Sequence, residues 1–347
     1  MRGSHILAEL ASAIWAMDLT HLNTMASVLR RWSTGAPATP EVMAQVRAAQ
    51  AARNERAKSN QTIGGGIAVL ELSGVIAPKA SMVDEISGGG SASLQDFGQQ
   101  LDAAVLDNSI GAIIINFDTP GGNVVMTPET AAKVLAARAT KPVLGFVSGM
   151  CASAGYWIGS ACTELYATQS ATVGSIGVYT THIDESAALA KEGYVMQYIC
   201  AGTYKVEGNS LGPLTDEARA FTQSQINDFY GMFTSAVAKG RGVPVASVRE
   251  GFGQGRCLLA KPSLDAGMID GICTFDDVVA KARKAIRSNN AANKAELIDA
   301  PAEGIETHGV EAYTHNKQPN QAKPLSSGFF YVPTFSRACT GPNKAPP

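Results

Sequence analysis

The chain is poor in charge, in histidine and in paired cysteine. Only 17% of its 347 residues are Asp, Glu, Lys or Arg, and 30 acidic against 28 basic side chains leave a formal net charge of −2. With no single-sign field, neither nucleic acid nor an anionic membrane surface is an expected partner. The six cysteines (Cys151, Cys162, Cys200, Cys257, Cys273 and Cys339) make no CxxC pair, and no secretory signal is read ahead of them. That argues against a disulfide framework or a zinc site and for reduced thiols, so no metal or cofactor is expected. The longest apolar stretch, Val143 to Cys162, is interrupted by Gly, Ser and Ala, whereas a membrane span needs about 20 strongly apolar residues. No membrane anchor is expected, and the chain is placed in the cytoplasm.

What is present is the 45% apolar content of an ordinary globular protein. Residues 1–60 read as a helical arm and linker. Ile6, Leu10 and Ile14 share one face and Met25, Val28, Leu29 and Trp32 another, before Gly35, Pro37 and Pro40 break the pattern. Val42 to Lys58 has little to bury and reads as a solvated helix or linker.

The catalytic domain is expected over residues 61–287. Ile67 to Ile76 alternates as a strand or hairpin, and the glycine-rich Ser87 to Ser93 reads as a loop. A helix follows from Leu94, with Ser93 and Asp96 as a capping box. Ala112 to Phe117 is a continuous apolar run, the pattern of a strand covered on both faces, and it ends in Asp118-Thr119-Pro120-Gly121-Gly122. Thr127 and Pro128 open a helix to about Ala139, and Pro142 to Val147 is a second buried strand. Tyr194 to Cys200 reads as a strand, Thr215 to Lys239 as a long helix with Ile226, Phe229, Tyr230, Phe233 and Val237 inward, and Asp276 to Ile286 as the last helix. Residues 288–347 read as a flexible polar tail in which Phe329 to Phe335 is either a docking segment or a neutral remnant.

Strand, glycine turn and helix in repetition build α/β layers with parallel strands, and sites in such folds sit at strand C-terminal ends. Two such ends carry Gly121-Gly122 and Gly149-Met150-Cys151-Ala152-Ser153-Ala154-Gly155. A serine hydroxyl needs a base to take its proton and donors for the oxyanion it creates. Ser153 stands where a strand gives way to a helix, whose free N–H groups make Ala154 a donor candidate. Gly121 and Gly122 have no side chain to block a second donor. For the base, His182 is the one histidine in the core, with Asp184 or Asp118 as its orienting partner, while Lys205 lies between Tyr204 and Val206 in a segment of few charges. Burial would lower a lysine's pKa toward neutrality and let it act as base.

Five ordered motifs then carry a resemblance: Asp118-Thr119-Pro120-Gly121-Gly122, Ala152-Ser153-Ala154-Gly155-Tyr156, Gly174-Ser175-Ile176-Gly177-Val178, Gly202-Thr203-Tyr204-Lys205 and Ala266-Gly267-Met268-Ile269-Asp270. Together, over about residues 65–285, they resemble the signal peptide peptidase A (SppA) family. The resemblance implies a ClpP/crotonase-like α/β fold of stacked ββα units, with Ser153 as nucleophile, Lys205 as base and Ser175 beside the lysine amine. It places the oxyanion donors at the N–H groups of Gly121 or Gly122 and of Ala154. Lacking the anchor of membrane-bound members, the chain looks more like phage capsid assembly proteases, which implies scaffold protein as substrate, a homo-oligomer, and action in the host cytoplasm or prohead interior. Other readings are a bacterial SppA-like peptidase, a His182-based triad, a structural protein of the same fold and a crotonase-type acyl-CoA enzyme.

Overall fold

A continuous apolar strand needs cover on both faces, and Ala112–Thr119 has it. In the computed structural model, which describes residues 13–19, 61–79 and 91–299 together with positions 21, 44 and 48, this strand lies inside an eight-stranded sheet. In chain order the strands are β1 (Trp15–Met17), β2 (Gln61–Ile63), β3 (Ile67–Ser73), β4 (Val75–Ala77), β5 (Ser91–Ser93), β6 (Ala112–Thr119), β7 (Gly121–Asn123), β8 (Val143–Ala152), β9 (Glu164–Ala167), β10 (Thr172–Gly174), β11 (Cys257–Leu259) and β12 (Gly271–Ile272). The helices are α1 (Leu94–Leu106), α2 (Thr127–Thr140), α3 (Ala154–Gly159), α4 (Ser186–Lys191), α5 (Asp216–Arg241), α6 (Val245–Gly251), α7 (Ala260–Asp265) and α8 (Phe275–Asp299). The result is a mixed α/β architecture built on parallel strands.

The large sheet runs β11-β10-β8-β6-β3-β2, with β3, β6 and β8 parallel. Strand β8 has β6 on one side and two partners on the other: β9 along Leu144–Val147 and β10 along Met150–Ala152. Its pairing with β6 shifts register between Phe117 and Thr119, which lengthens β8 beyond the expected Pro142–Val147 and carries it to Ser153. A second sheet, β1-β7-β4-β5, packs the glycine pair into its middle.

The period of two in the strands sorts the side chains into two cores. Ala68, Leu70, Leu72, Ile113, Ile115 and Phe117 pack with Phe97, Leu101, Val134, Trp157 and Phe233. Ile67, Val69, Ile114, Leu144 and Phe146 instead meet Val278, Val279 and Ala282 of α8. On the first face Trp157 stacks on Phe233 with ring centroids 4.5 Å apart, which fixes α3 against α5. The caps follow the sequence. Ser93 Oγ accepts from Asp96 N, Pro128 stands in the first turn of α2, and α5 is capped by Thr215 and ended by Gly242 in the left-handed region.

Three expectations change. Trp15–Met17 is a strand, where the Ile6, Leu10 and Ile14 spacing indicates helix; the rest of the 1–60 arm, apart from the few positions named, lies outside the described residues. Tyr194 to Cys200 has no strand, since nothing among the described residues pairs with it, and Val195 and Ile199 stand almost fully exposed. Helix α8 extends to Asp299, past the Ile286 end and into the expected tail. The Ser87–Gly90 part of the glycine loop and the Phe329 to Phe335 island lie outside the described residues, while Ser91–Ser93 is β5.

The motif ending in Asp270 is a clamp. Arg241 Nη1 and Nη2 donate to Asp270 Oδ2 and Oδ1 at 2.8 and 2.9 Å, and Arg241 Nε donates to the Gly267 carbonyl at 3.2 Å. Asp270 Oδ2 also accepts from Leu165 N at 2.7 Å. The Tyr156 hydroxyl donates to the Met268 carbonyl at 2.9 Å, which ties this turn to the helix behind Ser153. The Arg241 side chain is only 8% exposed, so removing it strands a carboxylate in a partly dry site. Arg241→Met is expected to lower unfolding free energy by about 3 kcal/mol, read as a fall in the urea midpoint with an unchanged slope.

Candidate active site

Among the described residues four that are not glycine have positive φ: Met126, Ser153, Ser175 and Gln254. Two of these are the candidate nucleophile and the candidate lysine partner. Ser153 has φ 54° and ψ −118°, between the last residue of β8 and the first of α3. This is the sharp strand-to-helix turn that lifts a nucleophile out of a sheet, and it costs an L-residue roughly 1–3 kcal/mol. The surroundings hold it there. Ser153 N donates to the Gly174 carbonyl at 2.7 Å, Trp157 N donates to the Ser153 carbonyl at 2.9 Å, and Ser153 Oγ makes one long bond, 3.5 Å, to the Gly177 carbonyl.

The Gly174-Ser175-Ile176-Gly177 turn therefore wraps Ser153. Gly174 has φ 125°, and a Cβ there would stand 2.8 Å from the Arg256 carbonyl, so glycine is required. Ser175 N donates to that same carbonyl at 2.9 Å. The Ser175 hydroxyl lies against Cys257, whose thiol burial pushes up to about 11, with the Asp18 carboxylate adding to the rise. Cys151, directly behind Ser153, is fully buried and its thiol is pushed well above its usual range by desolvation, so it is no competing nucleophile.

On the other wall, Gly121 has φ 93°, and a Cβ there would collide with the Ala16 carbonyl and stand 2.9 Å from both Ser153 Cβ and the Ala152 carbonyl. Gly122 is pressed against the Ile76 backbone. Thr119 Oγ1 donates to the Gly74 carbonyl at 2.6 Å and accepts from Gly121 N at 3.1 Å, so the Gly121 N–H is engaged. Ala154 is the first residue of α3, and its N–H has no acceptor within the helix. Gly155 brings α3 directly onto the Thr119 methyl, which explains the small residue after Ala154.

The structure thus gathers Ser153, Ser175, Gly121, Gly122 and Ala154. It does not gather Lys205. That residue is exposed in the Gly202–Gly208 turn, its N–H donating to the Gly202 carbonyl at 3.1 Å, and no bond joins its amine to Ser153. His182 does not replace it, because its Nε2 lies 3.1 Å from the Gly212 carbonyl. Asp184 is bonded to Ser186, and Asp118 packs beside Gly149. The position of β1 beside Gly121 has no signal in the motifs. A three-residue strand is too short to show a period, and its partners come more than a hundred residues later.

Residues 136–289 match the family model described as Peptidase family S49, a range that holds Ser153, Ser175, Lys205 and Asp270. The chain is 31% identical over 231 residues to capsid assembly protease C of Escherichia phage lambda, covering 67% of this chain and 52% of that protein. It is 27% identical over 224 residues to the head-tail preconnector protein GP5 of Enterobacteria phage P21, at 65% and 44% coverage. To protease 4 of Salmonella typhi it is 29% identical over 235 residues, at 65% and 35%. The chain spans about half the length of the phage relatives it matches. Its residues 136–289 are accordingly a domain of peptidase family S49, and the SppA resemblance read from five motifs extends to both phage head proteins and protease 4.

Proposed function

We propose that the protein is a serine endopeptidase of ClpP/crotonase-like fold that cuts unfolded protein through a Ser-Lys dyad. The observation that carries this reading is the pair of strained serines. A left-handed backbone at Ser153 and at Ser175, locked together through the Gly174 carbonyl, is a cost without benefit in a purely structural protein. Ser153 attacks the scissile carbonyl, and Lys205 takes the hydroxyl proton, delivers it to the leaving amine and then activates water. Ser175 steadies the lysine amine. The N–H groups of Ala154 and of Gly121 or Gly122 receive the oxyanion, Gly121 after exchanging its bond from Thr119.

On this reading the lysine comes from another copy of the chain, which its exposure in the Gly202–Gly208 turn supports. Tyr194, Val195, Met196, Tyr198, Ile199 and Tyr204 form an exposed apolar stretch that leads into Lys205. Such a stretch marks an interface. A homo-oligomer in which this segment covers a neighbour's Ser153 would bury it and desolvate the lysine, which is the condition for a neutral amine. The phage relatives favour capsid assembly as the setting and scaffold protein as the substrate, in the host cytoplasm or the prohead interior. The protease 4 likeness favours a cellular SppA-like peptidase as the second reading. Among the described residues no helix is long and apolar enough to cross a membrane.

Ser153→Ala and Lys205→Ala are each expected to lower cleavage of unfolded casein by roughly a thousandfold or more, with unchanged circular dichroism. Mixing the two inactive variants should restore cleavage, since a copy lacking the serine still supplies lysine to one lacking the lysine. Full activity in either variant alone would refute the dyad, and a fluorophosphonate probe that leaves Ser153 unlabelled would favour a structural role. Gly121→Ala is expected to abolish cleavage as well, because its Cβ meets Ser153 Cβ at 2.9 Å.

A further inference from the structure

The slot beside the glycine strand is already filled, and by this chain. Strand β1 runs antiparallel to β7, pairing Trp15 with Asn123, Ala16 with Gly122 and Met17 with Gly121. Asp18 N donates to the Pro120 carbonyl at 2.8 Å and Val124 N to the Ile14 carbonyl at 3.3 Å. Hydrogen-bonded pairs alternate along an antiparallel ladder, so between these two bonds Ala16 and Gly122 exchange theirs. The N–H of a candidate oxyanion donor is therefore directed at the Ala16 carbonyl. On its other edge β1 meets the wall that follows Gly177. Trp15 N donates to the Tyr179 carbonyl at 2.8 Å, Tyr179 N to the Trp15 carbonyl at 3.0 Å, and Thr180 Oγ1 to the Ala13 carbonyl at 3.0 Å. Trp15, Ala16 and Met17 are buried, and the Ala16 carbonyl crowds the same face of Gly121 as Ser153 Cβ.

An extended peptide binds a protease by adding itself as a strand, with its main chain bonded on both edges and its scissile carbonyl at the oxyanion donors. Ile14–Asp18 has the main chain of such a strand, bonded on both edges with the Ala16 carbonyl facing Gly122, while the Ser153 hydroxyl is 3.5 Å from the Gly177 carbonyl. We propose that Ile14–Asp18 is a built-in pseudosubstrate, which fills the slot meant for an extended substrate strand and must withdraw before Ser153 can act on another chain. This rests on the peptidase reading above.

The test holds the strand in place in the full-length protein. Ile14 and Thr180 flank the hydrogen-bonded Trp15–Tyr179 pair, a cross-strand position where two cysteines can be bridged. The double variant Ile14→Cys/Thr180→Cys, oxidised with diamide, is expected to lose at least about tenfold in Ser153-dependent casein cleavage and to regain it in dithiothreitol, with neither single variant responding. Ala16→Pro, which removes the N–H given to Gly122, should act oppositely and lower KM with kcat little changed. Equal cleavage by the cross-linked and reduced forms, with the cross-link verified by mass, overturns the pseudosubstrate and leaves the peptidase standing. Absence of cleavage in every form, with Ser153 unlabelled by fluorophosphonate, overturns the peptidase reading and the inference with it.

Discussion

One backbone torsion organises this molecule: the left-handed turn at Ser153, where β8 ends and α3 begins. An L-residue does not hold φ 54° with ψ −118° unless its neighbours over-determine it. Here the Gly174 carbonyl takes its N–H, α3 is pinned behind it by the Trp157–Phe233 stack and the Tyr156–Met268 bond, and Thr119 and Gly155 set the distance between α3 and β6. The unusual length of β8, with β9 on its first half and β10 on its second, makes room for this. The strand changes partners at the point where it must deliver the serine.

Much of the site was legible because glycine and serine at such places answer local demands of the backbone. Gly174 and Gly121 have torsions and contacts that exclude a Cβ, and both stand in motifs visible in the sequence. The buried strands were legible for the reason that both faces are covered, which leaves an unbroken apolar run at Ala112 to Phe117. Asp270 was visible as part of a motif, but its work as an anchor for Arg241 and Leu165 depends on residues brought in from far along the chain.

What the sequence misplaced follows from the same physics. Tyr194 to Cys200 has the composition of a strand, yet a strand exists only with a partner, and the described residues offer none. Residues 1–60 read as a helical arm, but two flanking backbones claim Trp15–Met17, and there tertiary pairing decides for a strand.

The position of β1 also bears on the order in which the chain acquires its structure. Both of its partners, the Gly121–Asn123 strand and the backbone at Tyr179, lie more than a hundred residues downstream. The segment cannot dock until the parallel sheet, the serine turn and the loop beyond Gly177 have formed, and closing so long a connection is slow compared with local pairing. A newly made chain therefore passes through a stage in which the Ser153 turn is built and the edge of β7 that β1 will cover is still open.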